Sequence, residues 1–498
     1  MRLEELFAEY KGSEQGKREI ASLVIDSRKA RDGSLFFAVK GLEADGHSFI
    51  PMAIENGATA IVCSDKQDEK KGICYIYKDD VIGEIGRCSD IFYGKPSKQM
   101  KIYGVTGTNG KSTTSCMIQD LSEKLNGQGC GYMGTIAVRY GSVDEKPSLT
   151  TPDAIQINDY MAKMIAAGMK SLAMEVSSHG LALRRTEGID FDVAVFTNLT
   201  WDHLDFHKTM DEYFEAKKSL FTALKANAIA ILNRDDSSFD LLKQACKCKV
   251  LSYGVKEDSD YRIGDVKMNA SGTEFVVSLS DNVSAKALKN SYTVKTNITA
   301  GYNISNLTAA IAALHSQGFD MNDIAKACTD IRQVDGRMER VLNDLGIDLI
   351  VDYAHTPDGF EKIFEFAHDV KEFDGKIFAV FGSAGKRDKE KRPVLGKIAG
   401  ENCDYIVLTE EDPRDEFAAD IAKQIAEHIP GPKYEFINDR YEAIKRAIAM
   451  ASSGDMVLIL GKGDEKYLDR GNGKDYWMGD EKAAAEIAAE LIKGKLIN

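Results

Sequence analysis

Apolar runs of four to six residues alternate along this chain with amphipathic stretches, and the alternation changes character twice. The first hundred residues carry short β-prone runs, Ser22 to Ile25, Ser34 to Val39, Ala58 to Cys63 and Ile73 to Tyr77, with a helical stretch at Pro51 to Asn56. They end in FYGKPSKQM, where Gly94, Pro96 and polar neighbours predict a linker. A second block opens with the apolar run Lys101-Ile102-Tyr103 and continues with Ser171 to Val176, Val193 to Asn198 and Ala228 to Asn233, each beside a helical pattern. Strands that alternate with helices predict a mostly parallel sheet covered on both faces. Residues Tyr261 to Lys295 alternate at period two, as in Glu274-Phe275-Val276-Val277-Ser278, and predict an antiparallel insertion. A third block repeats the strand–helix alternation at Asp348 to Asp352, Ile377 to Gly382, Tyr405 to Thr409 and Met456 to Gly461. The expectation is an α/β chain of three domains, 1–98, 99–335 and 336–498, with a P-loop-type central sheet and a Rossmann-like C-terminal domain. No internal repeat or low-complexity segment interrupts this plan.

Composition narrows the class. At 498 residues the chain is too long for one core. Charged residues at 29% and hydrophobic ones at 43% describe a globular protein, and no apolar run nears the roughly 20 residues of a membrane helix. The opening MRLEELFAEYKGSEQGK lacks the apolar centre of a signal peptide. A net charge of −14 speaks against a nucleic-acid binder. Nine scattered cysteines without zinc spacing, Cys246 and Cys248 the one close pair, read as reduced thiols. A cytoplasmic monomer without membrane or nucleic-acid partners is expected.

The most specific chemistry lies in GVTGTNGKSTT, Gly104 to Thr114. A strand, a Gly-rich loop, Lys-Ser and a helix form the arrangement that cradles nucleotide phosphates on backbone N–H groups and a helix N-terminus. Lys111 can reach the β/γ-phosphates, and Ser112 or Thr113 can sit on Mg²⁺. Val105 stands where the general pattern has its first Gly. The stretch is read as an ATP site.

Further polar motifs follow apolar runs. Glu175 in EVSSHG is placed as a magnesium ligand, because Mg²⁺ is hard and prefers oxygen. Its serines suit either a second substrate or a helix N-cap. LTWDHLDFH, Leu199 to His207, holds two His and two Asp without Cys, which fits Mg²⁺ chemistry or a helix cap better than structural zinc. YFEAKKSLF offers two adjacent lysines, ordinarily a solvated face. GYNISN, Gly301 to Asn306, places two amides at a helix start for an adenine edge or a cap, and Arg337 follows the second block within reach of phosphates. In the third block DYAHTPDGF, GSAGKRDKEKRP, EEDPRDE and GKGDE all follow apolar runs. Four charged loops at strand ends of one sheet predict a pocket for a charged small molecule.

In this order GTNGKS, EVSSH, a DH after a strand, a later Lys, GxNxxN and GRME resemble the Mur ligase family of peptidoglycan synthesis, from about Gly104 to the end of the chain. VIDSRKARDGSLFFAVKGLEADGHSFI is similar to the uridine-nucleotide domain of the branch that adds the third peptide residue, and DYAHTPDGFEKI is close to that branch's signature. The resemblance implies an ATP- and Mg²⁺-dependent ligase joining a diamino acid to UDP-N-acetylmuramoyl-L-alanyl-D-glutamate through an acyl phosphate. It assigns Lys111, Glu175, His203 and Lys217 to catalysis. Thr106, Gly107, Thr108, Asn109, Gly110, Lys111, Ser112, Thr113, Asn303, Asn306 and Arg337 go to ATP, and Ser112, Thr113, Glu175, His203 and a carbamylated Lys217 to metal. Lys217 is preferred to Lys218 because it stands four residues before Phe221, the family spacing.

The resemblance further assigns Ser27, Leu42, Glu43, Ala44, Thr150, Thr151, Ser177 and Arg185 to the uridine-nucleotide dipeptide. Leu183 stands where the family often has Gln. The amino-acid contacts would be Arg387, Glu411, Asp412, Pro413, Arg414, Gly461 and Glu465. Two arginines suit the distal carboxylate of meso-diaminopimelate. Asp412 for the usual Asn, Asp464 for the usual His and Lys386 for the usual Asp depart from the diaminopimelate pattern, and the added carboxylates favour L-lysine. The expectation is diaminopimelate, with lysine as alternative. A folylpolyglutamate synthase would share the ATP core but not the DSR-containing first block, and an inactive Mur-like binding protein would not need Lys111, Glu175, His203 and Lys217 together.

Overall fold

The computed structural model describes residues 1–41, 44–127, 129–269, 272–284, 290–372, 374–431 and 433–497. Among them three sheets carry the fold, of four, eleven and six strands, with one two-stranded ribbon. The four-stranded sheet runs Ser22–Val24, Ser34–Phe37, Ala58–Cys63 and Cys74–Tyr77 in sequence order, all parallel. Its helix Val81–Phe92 is capped by Asp80, which accepts from the Gly83 N–H. The same carboxylate takes Arg184 of the next sheet unit in a two-pronged pair at 2.8 and 2.9 Å. The 92–100 segment turns through left-handed Lys95 and the short helix Pro96–Lys98 before the central sheet begins.

The middle of the large sheet is parallel, in the order Lys249–Gly254, Ile229–Asn233, Val193–Phe196, Lys101–Thr106, Ser171–Glu175, Cys130–Met133. The apolar side chains of these strands are buried on one face or the other, with Ile229 and Val250 half-buried. One face packs on the helices Lys111–Asn126 and Gly301–Ser316, the other on Ala154–Ala166 and Met210–Thr222. The strand Lys101–Thr106 sits between strands that come much later in the chain. Its C-terminal end is therefore a topological switch point, where doubly wound sheets open a crevice.

The period-two segment behaves differently from expectation in one respect. Tyr261–Asn269, Gly272–Leu279 and Ser291–Thr296 pair antiparallel with one another, but Tyr261–Asn269 also pairs parallel with Lys249–Gly254. The segment extends the main sheet rather than standing apart from it. On the opposite edge a hairpin, Val138–Tyr140 and Val143–Glu145, adds two more antiparallel strands.

In the third unit Asp348–Asp352, Met456–Leu460, Ile377–Phe381, Tyr405–Leu408 and Tyr434–Phe436 run parallel, with Glu339–Arg340 antiparallel at one edge. Buried Arg440 and Asp480 pair at 2.6 Å; Arg440 also donates to the carbonyls of Glu410 and Leu460, and the Trp477 indole N–H donates to Asp480. This network ties two strand ends to the helix Asp480–Ile497. No helix among the described residues is long and apolar enough to cross a membrane, and the nine cysteines are unpaired.

Candidate active site

The C-terminal strand ends of the large sheet and of the third-unit sheet face one another across a cavity of about 500 Å³. The loop after Lys101–Thr106 forms one wall. Gly107 lies so close to Thr197 that a Cβ would collide with its Oγ1, and a Cβ on Gly110, at φ 84°, would strike Asn306. The loop is fixed from outside: the Asn109 N–H donates to Asn198 Oδ1 at 2.9 Å and the Thr197 hydroxyl to the Asn109 carbonyl at 2.6 Å. Glycines here are required by contact as well as by conformation.

Two lysines converge on one carbonyl of this loop. Lys111 Nζ donates to Gly107 O at 3.0 Å and Thr108 O at 2.9 Å, and Lys217 Nζ donates to Gly107 O at 2.7 Å. Burial lowers the Lys111 ammonium pKa, with Glu175 and Asp202 opposing the shift. Lys217 falls well below the ordinary range, first through burial and then through the charge of Lys111. Its position follows from the helix Met210–Thr222, whose buried residues Tyr213, Lys217, Leu220 and Phe221 repeat at i, i+4, i+7 and i+8. Lys218 falls on the other face and pairs with Glu215 at 2.5 Å.

Glu175 ends its strand fully buried and accepts from the Tyr132 hydroxyl at 2.6 Å, the Thr135 N–H at 2.8 Å and the Thr135 hydroxyl at 3.2 Å. His203 sits in a left-handed position at the start of Leu204–His207. Burial lowers its pKa to about 3, against the pull of Asp202. Asp202 is pushed up by burial, but His203, His355 and Lys391 outweigh that and hold it at about 2. A neutral imidazole beside carboxyl and hydroxyl oxygens and a deprotonation-prone amine is a donor set suited to a hard divalent cation, once the amine carries a carboxylate.

The remaining assigned residues divide clearly. Thr108, Ser112, Thr113, Asn303, Thr150, Ser177, Arg185 and Arg337 line the cavity with those above. Arg337 stacks over Tyr353 at 4.1 Å and comes within 3.5 Å of the Ser112 hydroxyl. Ser177 caps Ser178–Ala182 by accepting from the Gly180 N–H, so the cap reading holds for it, and it lines the cavity as well. Thr106, Gly107 and Thr151 lie beneath the lining; Thr151 bridges the Glu175 carbonyl and the Ser177 N–H. Ser27 and Ala44 belong to the first sheet unit, outside the lining, Ser27 Oγ contacting Met52 Sδ. Leu42 and Glu43 lie outside the described residues.

On the third-unit wall Arg387, Glu411, Asp412, Arg414, Gly461 and Glu465 line the cavity, and Pro413 lies behind them. Arg387 reaches Asp205 of the central unit at 3.3 Å. Arg414 donates to Gly385 O at 2.5 Å and pairs with Asp469 at 3.4 Å. Asp412 receives Lys462 at 2.8 Å and the Asp469 N–H at 2.9 Å, and Lys462 also pairs with Glu465 at 2.5 Å. Burial raises the Glu411 carboxyl to about 7, with Lys391 and Arg440 opposing. Asp464 does not line the cavity; it faces Lys146 at 3.5 Å. The sequence reading passed over Asp202, His179, His355, Lys391 and Lys462, all cavity-lining. Each stands inside a motif quoted for its neighbours, which is the signal that was available.

Comparison with known proteins meets this geometry along nearly the whole chain. Residues 19–87 match the model of the Mur ligase family catalytic domain, 105–314 the Mur ligase middle domain and 336–463 the Mur ligase glutamate ligase domain. A relative from Syntrophomonas wolfei is 38% identical over 490 residues, covering 96% of each chain. The chain belongs to the Mur ligase family. That relative, and one from Bacillus velezensis 36% identical over 95% of each chain, are UDP-N-acetylmuramoyl-L-alanyl-D-glutamate–2,6-diaminopimelate ligases. A solved structure of a ligase of that same name superposes with a TM-score of 0.70 at 28% identity, covering 99% of both chains. A folylpolyglutamate synthase from Mycobacterium tuberculosis shares the fold, at TM-score 0.62 and 16% identity, but only over 83% of this chain.

Proposed function

We propose that this Mur ligase joins meso-diaminopimelate to the D-glutamyl carboxylate of UDP-N-acetylmuramoyl-L-alanyl-D-glutamate at the expense of ATP. The observation that carries the reading is one cavity in which a phosphate loop, an oxygen- and nitrogen-rich cluster and an arginine-bearing wall meet. The substrate carboxylate attacks the γ-phosphorus, the bond to the β,γ-bridging oxygen breaks, and ADP leaves. The amine attacks the resulting acyl phosphate, loses a proton, and phosphate departs as the amide forms. Charge accumulates on phosphoryl oxygens in the first step, where Lys111 and Arg337 stand ready to bind it.

Ser112 or Thr113, Glu175, His203 and Lys217 would hold Mg²⁺, which supplies charge neutralisation for the transferring phosphoryl group. Lys217 fits this role as a carbamate: a buried amine held towards its neutral form is the nucleophile CO₂ requires, and its ammonium form would repel a cation. Ser27 and Ala44 are assigned to the uridine nucleotide, and Thr150, Thr151, Ser177 and Arg185 to the muramoyl-dipeptide.

The amino-acid assignment rests on the third-unit wall. The carboxylates that had favoured lysine are already engaged, Asp412 by Lys462 and Asp464 by Lys146. Arg414 and Arg387, now paired with Asp469 and Asp205, offer the distal carboxylate of diaminopimelate two cationic partners, and its ammonium would replace Lys462 on Glu465. Heavy-oxygen labelling of the D-glutamyl carboxylate tests the route. Transfer of one labelled oxygen to the released phosphate is expected, and unlabelled phosphate accompanying product would refute the acyl phosphate.

A further inference from the structure

Asp464 is the one charged residue of the GKGDE loop outside the cavity lining. Its carboxylate is only 12% exposed, and it pairs at 3.5 Å with Lys146, which follows the edge hairpin Val138–Glu145 of the central sheet. Both partners are placed by strong local constraints. Gly463 is left-handed at φ 50° and lies against Tyr353, while a Cβ on Gly336 would collide with the Asp464 backbone N. The hairpin is held from its other strand by Arg139, which bridges Asp144 and Asp335, both at 3.1 Å.

What each partner leads to gives the pair its interest. Lys146 precedes Leu149 and Thr150, and Asp464 lies between Lys462 and Glu465; all four of these neighbours line the cavity. Other polar contacts between the two units involve cavity-lining side chains: Arg387 with Asp205, Arg337 with Ser112, and Asn109, itself in the lining, with Asp358 behind it at 2.6 Å. Incoming substrates compete for those side chains. Lys146 and Asp464 are absent from the lining, so a molecule in the cavity need not displace either side chain.

We propose that Lys146 and Asp464 are positioning residues: their ion pair clasps the acceptor-side loop 146–151 to the amino-acid loop 461–465 and sets the placement of Glu465 and Lys462 for the incoming diamino acid. Arg337 and Glu465 are the other charges facing Asp464. The kinetic consequence rests on the ligase reading given above; the structural consequence does not.

A partly exposed pair of this kind contributes little in isolation, so single substitutions shift binding by about two- to five-fold. Lys146→Gln and Asp464→Asn are each expected to raise the KM for the diamino acid by that factor while leaving the KM for ATP in place. The exchanged pair Lys146→Asp with Asp464→Lys is expected to recover most of the loss. Independently of activity, hydrogen exchange in the resting protein reads the loop directly, because the Gly461 N–H is bonded to Asp352 O and the Glu465 N–H to Lys462 O. Faster exchange at these amides in Lys146→Gln, reversed in the exchanged pair, supports the clasp. Additive losses in the exchanged pair, or unchanged exchange in Lys146→Gln, overturn it. Absence of ligase activity in the unsubstituted protein would remove the proposed reaction and leave the exchange measurement to decide the clasp alone.

Discussion

Lys217 and Lys218 are neighbours in sequence with opposite surroundings. The first is 1% exposed with its amine on Gly107 O; the second lies at the surface with Glu215. Lys217→Ala is expected to abolish turnover without loss of the folded state, with partial rescue by short carboxylic acids, whereas Lys218→Ala keeps most activity. Steady-state rates and a thermal melt of both variants check this. Helical periodicity left both lysines on a solvated face, and the sequence separates them only through the resemblance, which places Lys217 four residues before Phe221. It holds no sign of the carbonyl that receives the amine, because Gly107 is more than a hundred residues away. Glu411 gives a pH prediction. Its folded pKa of about 7 lies above the ordinary 4.5, so its ionisation penalises the folded state increasingly from pH 4.5 to 7 and fully above that. Glu411→Gln should therefore gain stability over the parent as pH rises through this window and show a smaller difference below it. Denaturant midpoints at several pH values measure it; a difference that shrinks with rising pH would contradict the assignment.

At the scale of elements, apolar runs bounded by turns foretold most of the parallel strands, since a strand buried on both faces has little freedom to be anything but apolar. Cys130–Met133, Lys249–Gly254 and the hairpin Val138–Glu145 were not foreseen. The run CGYM is too short and Gly-containing to declare itself, KVLSYG lacks a clean period, and hairpin edge strands such as Val-Asp-Glu carry the charges that keep edges from pairing. Equally hidden was Arg440, which a helix pattern assigns to the surface but which is buried against Asp480. Removing one member of a buried pair strands the other charge. Arg440→Ala should cost about 3–5 kcal/mol of stability, read from denaturant unfolding, and should loosen the helix Asp480–Ile497 first. A loss below about 1 kcal/mol would mean that Asp480 finds water.

For the molecule as a whole, the sequence placed the chemistry at strand ends but said nothing of how the two sheets face each other. That arrangement depends on contacts such as Asn109 to Asp358 and Arg387 to Asp205, separated by 249 and 182 residues. It also resolves what composition left open. Asp412 and Asp464 looked like recruits for a cationic substrate until Lys462 and Lys146 appeared as their partners. The measurement closest to the central claim offers the purified protein ATP, Mg²⁺ and UDP-N-acetylmuramoyl-L-alanyl-D-glutamate with a panel of amino acids, and follows phosphate release together with product mass. The account predicts release tied to a product heavier by one diaminopimelate residue, with lysine much the poorer substrate. Preference for lysine, or phosphate release without amide product, would contradict it.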